Sequence, residues 1–285
     1  MLRISEKQAY ILVENYIKVY PNFIKVVQYE NPIRVLQKNL EVVAPSRQHS
    51  EPRSATESDE LTKALSLRRT KTTISDITLC NSFDSFVTFT FAKDRDNVDL
   101  LKNRMSKWLK NQREIYGPFK YIIVPEYHKD GKSIHFHALF KDYKGPLTKT
   151  KHRINGRSVF HLKSYKHGFT TLVKIDDISK VSSYIKKYIT KDMPIFKGRK
   201  RYWCSTKLLR PFVTHDKDIL NNPYLTFVNC YKKDNFIIYH CDVTLKTLNQ
   251  LEGTKSWINT TLQSLESYVK YDWKQETLKL ENHTQ

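Results

Sequence analysis

Tyr121–Phe140 reads YIIVPEYHKDGKSIHFHALF, two apolar runs on either side of Asp130-Gly131. Asp-Gly between apolar runs marks a β-hairpin, because glycine takes a positive φ without steric cost. Side chains alternate along a strand, so His135 and His137 share one face while Phe136 and Ala138 point to the other. A two-residue turn centred on Asp130 and Gly131 sets Glu126 directly opposite His135 on that face, where facing Cβ atoms stand about 5 Å apart. Two imidazoles and a carboxylate on one face make a ligand set for a divalent ion with coordination positions left open. His128 has the parity of Glu126 and is the reserve ligand if the loop is longer. The plain alternative is a half-buried histidine pair with ordinary hydrogen bonds. A closed structural zinc site fits less well, since none of the four cysteines lies near the hairpin in sequence.

Outside this stretch the charge is the strongest signal. The 285 residues carry a formal net charge of +20, from 49 Lys and Arg against 29 Asp and Glu. Residues 141–170 hold eight basic residues and one acid, Asp142, and residues 180–210 hold ten and one acid, Asp192. Charge gathered in two windows beside one site reads as a footprint for a phosphate backbone rather than as general solubility. Lys151 and Arg153 in the first window, and Lys197, Arg199, Lys200 and Arg201 in the second, are the candidate DNA contacts. No basic amphipathic helix suggests a membrane surface, and there is neither an apolar run near eighteen residues nor a charged-then-apolar leader at Met1. The expectation is a cytoplasmic protein with no membrane partner. Cys80, Cys204, Cys230 and Cys241 form no CxxC pair and read as reduced thiols. Neither GxxxxGK[ST] nor GxGxxG occurs, so the chain carries no nucleotide-hydrolysis motif.

The remaining pattern is that of an α+β domain. Phe86–Phe91 (FVTFTF) alternates as a strand. Asn97–Ile115 repeats Val98, Leu101, Met105, Trp108 and Leu109 at helical steps and stops at Gly117-Pro118. Thr148–Phe160 reads as basic loop or weak strand, Phe169–Ile175 as a strand, and Ile4–Val19 as a helix. Residues 44–61, polar and holding Pro45 and Pro52, read as a connector. Tyr224–Tyr231 and Phe236–Val243 are strand candidates; Leu245–Leu251 and Trp257–Tyr271 look helical. The expected division is an N-terminal region of unknown role (1–79), a central domain (80–215) and a C-terminal extension (216–285).

A second chemical site lies at DISKVSSYIKKYITKD, residues 177–192. In a helix Ile178, Val181, Ile185 and Ile189 form one stripe that must face the sheet. Tyr184 and Tyr188, four residues apart, share a line at the edge of that stripe, with Lys187 and Lys191 further round toward solvent. Tyrosines at such a border are commonly packing residues. Beside a held divalent ion and lysines, though, a phenol can attack phosphorus, because the charge on the phosphoryl oxygens is stabilised.

Taken together, three motifs in order resemble the HUH endonucleases, specifically the rolling-circle replication initiators (Rep proteins) of small plasmids and single-stranded DNA phages. They are the FVTFTF strand (86–91), HFH (135–137) and YIKKYITK (184–191). The resemblance runs from about Cys80 to Pro211, including Gly168 and the segment RYWCSTKLLRP; residues 1–79 and 216–285 match nothing comparable. It implies a ferredoxin/RRM-like antiparallel sheet with packed helices. It also implies Mg²⁺ or Mn²⁺ held by Glu126, His135 and His137, with Glu126 where many members place a third ligand. The implied activity is nicking of single-stranded DNA at an origin, giving a 5′-phosphotyrosine on Tyr184 or Tyr188 and a free 3′-OH, with Lys187 and Lys191 favouring the phenolate. Lacking an ATPase motif, such a protein depends on a host helicase and replication machinery. A relaxase or single-strand transposase shares the chemistry, although paired tyrosines favour Rep. A non-catalytic RRM-like module, with Phe86, Phe89 and Phe91 stacking bases, is the alternative of a different class.

Overall fold

The computed structural model describes residues 10–36, 55–198, 200–215, 221, 225–233 and 235–243. The protein is α+β, with antiparallel sheets and, among the described residues, three α-helices. It divides into two compact units, Met1–Pro52 with Pro211–Gln285, and Arg53–Arg210. This division differs from the boundaries expected at 79 and 215, because strands from the two ends of the chain share a sheet.

In the first unit β1 (Tyr10–Val19) pairs with β2 (Phe23–Leu36), so residues 10–19 are strand and not the expected helix. Val13, Asn15, Ile17 and Val19 are buried and alternate with exposed Leu12 and Glu14, a period-2 pattern that only a paired strand satisfies. The same sheet later receives three strands from beyond residue 210.

The second unit begins with α1 (Ala55–Cys80), which takes in residues 55–61 of the expected connector; residues 44–54 lie outside the described residues. The first half of α1 presents mostly exposed polar side chains, so it has no apolar stripe to announce it. Its last turns bury Ile74, Ile77 and Cys80. Next come β3 (Ser85–Phe89) and α2 (Val98–Tyr116). The Asn97 side chain caps α2 by accepting from Leu100 N, and Gly117 ends it at φ 88°. β4 (Lys120–Tyr127) and β5 (Ile134–Lys141) follow, then β6 (Leu147–Ile154) and β7 (Arg157–Leu162). The basic stretch expected as loop or weak strand is thus a hairpin. Its Asn155-Gly156 turn takes φ 49° and 77°, the positive pair that a tight two-residue hairpin requires. β8 (Thr170–Lys174), α3 (Ile178–Ile185), a 3₁₀ turn at Lys186–Tyr188 and β9 (Trp203–Cys204) complete the unit.

Its seven strands are ordered β6-β7-β8-β3-β5-β4-β9, every neighbour antiparallel. β5 lies between β3 and β4, so β3-α2-β4 is a split βαβ unit. Strand parity sends Val87, Phe89, Phe136, Ala138 and Phe140 to one face, where Leu101, Met105, Trp108 and Leu109 of α2 cover them. The other face sends Ile122, Val124 and Leu139 against Ile74 and Ile77 of α1, Val181 and Ile185 of α3, and Ile189 and Met193 beyond it. The stripe read from the α3 sequence is therefore its buried face.

The chain then returns to the first unit as β10 (Phe212–Thr214), β11 (Val228–Lys233) and β12 (Phe236–Asp242), in the order β10-β1-β2-β12-β11. Ile17, Val19, Ile24, Val26 and Cys241 form its core. The expected helices at 245–251 and 257–271 lie outside the described residues. Cys80, Cys204 and Cys241 are free thiols. Among the described residues no helix is long and apolar enough to cross a membrane.

Candidate functional site: a histidine–tyrosine cluster on one sheet face

The hairpin register is the expected one: Glu126 pairs with His135 and Val124 with His137. The turn is longer than two residues. Ladder pairing ends at Tyr127–Ile134, His128 N donates to Ser133 O at 2.6 Å, and Gly131 takes φ 68°. Loop residues are added evenly on both sides of Asp130-Gly131, so the register survives the longer turn. Asp130 accepts from Ser133 Oγ and from the backbone N–H groups of Ser133 and Lys132. Those bonds hold its carboxyl well below the usual carboxylate range.

His137 is the centre of the site. It is only 5% exposed, and both ring nitrogens have partners. Nε2 lies 2.6 Å from Glu126 Oε2, and Nδ1 lies 3.2 Å from Thr88 Oγ1. Thr88 is paired with His137 across β3 and β5, so the sheet itself sets this contact. Sequence reasoning did not single out Thr88. The available signal was its parity within FVTFTF, which puts Phe86 and Thr88 on the histidine face.

The tyrosines close over this pair. The expected helix through residue 192 instead ends at Ile185 and tightens into a 3₁₀ turn through Tyr188. Asp177 begins it, accepting from Ser179 N and Lys180 N. The Tyr188 ring lies flat on His137, with centroids 3.6 Å apart and an interplanar angle of 12°. Tyr184 meets Tyr188 edge-on at 5.3 Å, and Phe86 packs against His137, Tyr184 and Tyr188. The two phenols are not equivalent. Tyr184 is 44% exposed, with Lys187 Nζ 5.5 Å from its ring centroid, whereas Tyr188 is half-buried. Burial, with a hydrogen bond to Tyr184 and its charge, pushes the Tyr188 phenol well above its ordinary value.

His135 behaves differently. Its ring turns to His128, centroids 4.8 Å apart, and burial, followed by the charges of His128 and His137, holds its pKa below the ordinary imidazole value. Among the described residues no three His, Cys, Asp or Glu side chains gather closely enough to hold a metal ion. Glu126, His135 and His137 suit a hard divalent ion in donor chemistry and share a face, and two of them touch. In this conformation the third is turned aside.

The basic residues fall at the two edges of the sheet. Lys151 and Arg153 are exposed on the edge strand β6, and neighbouring Arg157 pairs with Asp176 at 2.7 Å. Lys191, Lys197 and Lys200 are exposed on the β9 side, where Lys197 N donates to Asp99 Oδ1 in the first turn of α2. Arg201 Nη1 donates to Thr190 O at 3.4 Å, just past the tyrosines. Arg199 lies outside the described residues.

An antiparallel α+β unit with a His–carboxylate pair beneath two tyrosines, between two basic sheet edges, defines the class of site. Residues 84–193 match the model of the family described as Replication-associated protein ORF2, whose members are rolling-circle replication initiators of the HUH type. The matched segment starts just before β3 and ends past the 3₁₀ turn, so it contains Thr88, Glu126, His135, His137, Tyr184 and Tyr188. The resemblance carried by the three motifs holds over this segment. No curated protein and no solved structure matches the chain.

Proposed function

We propose that this protein is a site-specific DNA nickase and strand transferase that starts rolling-circle replication through a 5′-phosphotyrosine. The observation that carries the reading is the flat stacking of Tyr188 on His137, itself bonded to Glu126, inside the segment that matches a replication-initiator family. The sheet order β8-β3-β5-β4 around the split βαβ supports a ferredoxin/RRM-like core of the HUH type. A β-hairpin, β6–β7, stands where that topology has its second crossover helix.

Glu126, His135 and His137 would hold Mg²⁺ or Mn²⁺, which when bound supplies Lewis-acid stabilisation of charge on the phosphoryl oxygens. The chain's own residues do the rest. A tyrosine Oη forms a bond to phosphorus as the bond to the 3′ oxygen breaks; the phenol gives up its proton and the 3′ oxygen takes one up. The bond energy is kept in the phosphotyrosine, so the 3′-OH can reverse the reaction and reseal the strand. Thr88 holds the His137 ring at Nδ1, and Lys187 places positive charge beside the Tyr184 phenol. Tyr184, the exposed phenol, is the one a strand reaches without rearrangement. Tyr188 is positioned for a second cut once its contact with His137 loosens. Exposed Lys151, Arg153, Lys197 and Lys200, together with Arg199 and Arg201, hold the phosphate backbone. Host helicase and replication proteins open the duplex.

The test is a denaturing-gel assay for a covalent protein–DNA adduct on single-stranded origin oligonucleotides. Tyr184→Phe and Tyr188→Phe should each reduce the adduct, Tyr184→Phe more on the first cut. The double variant should form none while keeping its fold and DNA affinity. An adduct from the double variant would put the nucleophile elsewhere. DNA binding with no adduct from the intact protein would favour a non-catalytic module.

A further inference from the structure

The histidine face extends beyond the histidines. One step past the last ladder pairs, Thr90 of the β3 end stands opposite His135 on one side and Phe169 on the other, continuing Phe89–Phe136 and Phe89–Thr170. Glu126, His135, Thr90 and Phe169 therefore form one row across four strands on a single face. Phe169 is two strand spacings from His135, about 10 Å. It is a large aromatic left 53% exposed, and its edge contact is with the His161 ring, 4.1 Å between centroids.

Its backbone is tied down to an unusual degree. Phe169 N donates to Thr90 Oγ1 at 3.0 Å, Thr90 N donates to Phe169 O at 2.9 Å, and Thr90 Oγ1 also reaches Phe169 O at 3.1 Å. Gly168 lies so close to the Thr90 carbonyl that any Cβ there would collide with it. An exposed ring on a locked backbone loses little freedom when it stacks. Its surroundings tell what it would stack with. The neighbours on this face, Thr90, Thr171 and His161, are polar, so no contiguous apolar patch invites a protein partner. From Tyr143 to Ile175 the sequence has no acidic residue, and Lys163 and Lys166 are exposed. An isolated rigid aromatic in a cationic field is the feature that single-stranded nucleic acid uses; in a duplex the base faces are already stacked.

We propose that Phe169 is a base-stacking platform for the single-stranded DNA that runs across this face to the tyrosines, holding a nucleotide close to the cleaved phosphate. The inference rests on the nickase reading for the path of the strand, and its test is separable from that reading. Affinity of the full chain for a labelled, mixed-sequence single-stranded oligonucleotide and for the matching duplex is measured by fluorescence anisotropy across a salt series. Phe169→Ala weakens single-strand binding between about 5-fold and 150-fold, the range that one lost base–aromatic stack corresponds to. It leaves the duplex affinity and the salt slope unchanged, because no phosphate contact is removed. Phe169→Trp restores single-strand binding, and Phe169→Leu, which keeps apolar bulk without a π face, does not. Phe169→Leu also decides the matter if the alanine variant unfolds. Equal single-strand affinity for Phe169→Leu and the unaltered protein overturns the proposal, as does equal weakening on single strand and duplex. If the unaltered protein forms no covalent adduct while Phe169→Leu still loses single-strand affinity, the platform stands and the nickase reading falls.

Discussion

Thr88→Val isolates what the sheet does for His137. Valine has the shape of threonine and favours strands, so the change removes one hydroxyl and little else. The lost contact is the 3.2 Å hydrogen bond to Nδ1 of a residue that is 5% exposed. A neutral hydrogen bond contributes about 0.5–1.5 kcal/mol net, and leaving its buried partner unsatisfied costs about 1–3 kcal/mol. Nδ1 is nearly sealed from water by Tyr188 and Phe86, so the larger range applies, at its lower end because Thr88 itself is partly exposed. A loss of about 1–2 kcal/mol lowers the melting temperature by roughly 2–8 °C for a domain of this size. The effect on function is larger. A group that fixes the ring and tautomer of a metal-ligating histidine typically governs 10–100-fold in metal affinity or activity. Adduct formation should therefore need about 10–100-fold more Mg²⁺ or Mn²⁺, with Thr88→Ser close to the unaltered protein. The assay is adduct yield against ion concentration, alongside thermal unfolding without added ion. A Thr88→Val protein that melts lower but shows unchanged ion dependence would refute a positioning role and leave Thr88 a packing residue.

Other perturbations probe separate parts of the molecule. Chelation should abolish adduct formation, and His135→Ala with His137→Ala should abolish it while sparing most DNA affinity; full activity of that double variant in chelator would remove the metal assignment. Charge reversal at Lys151 and Arg153, or at Lys197, Lys200 and Arg201, should lower the log–log salt slope of single-strand binding by roughly 0.7 per lost phosphate contact. An unchanged slope for either set would mean that its edge of the sheet does not carry DNA. Burial pushes up the phenols of Tyr121, Tyr143, Tyr165 and Tyr188. The folded protein thus resists a deprotonation that the unfolded chain undergoes near pH 10, so stability is full below about pH 10 and falls as pH rises beyond it. Urea midpoints should drop through that window and drop less steeply in Tyr165→Phe; a midpoint that is flat in the unaltered protein contradicts the burial argument.

Much of the site can be read locally. The two-residue period of a strand puts His135 and His137 on one face whatever surrounds them, and a hairpin centred on Asp130-Gly131 sets Glu126 opposite His135. The loop lengthens without disturbing this, because residues are added equally on both sides. The Ile178, Val181, Ile185 and Ile189 stripe is legible for the same reason: helical periodicity is a property of neighbouring residues. Where local pattern is weak, it misleads. The polar first half of α1 has no stripe, and residues 10–19 fit a helix until β2 pairs with them.

Local pattern therefore establishes which residue types face together: the histidines and glutamate on a strand face, the paired tyrosines on a helix edge, and lysines beyond them. It took the packed chain to lay Tyr188 flat on His137, to give Thr88 the second nitrogen of that ring, and to turn His135 to His128. Packing also brings Phe169 into the histidine row and puts the first and last strands in one sheet. Those outcomes depend on which strands become neighbours and which side-chain rotamers their packing permits. Both are set by burial and hydrogen bonding between segments tens to hundreds of residues apart, about which the period of a single segment carries no information.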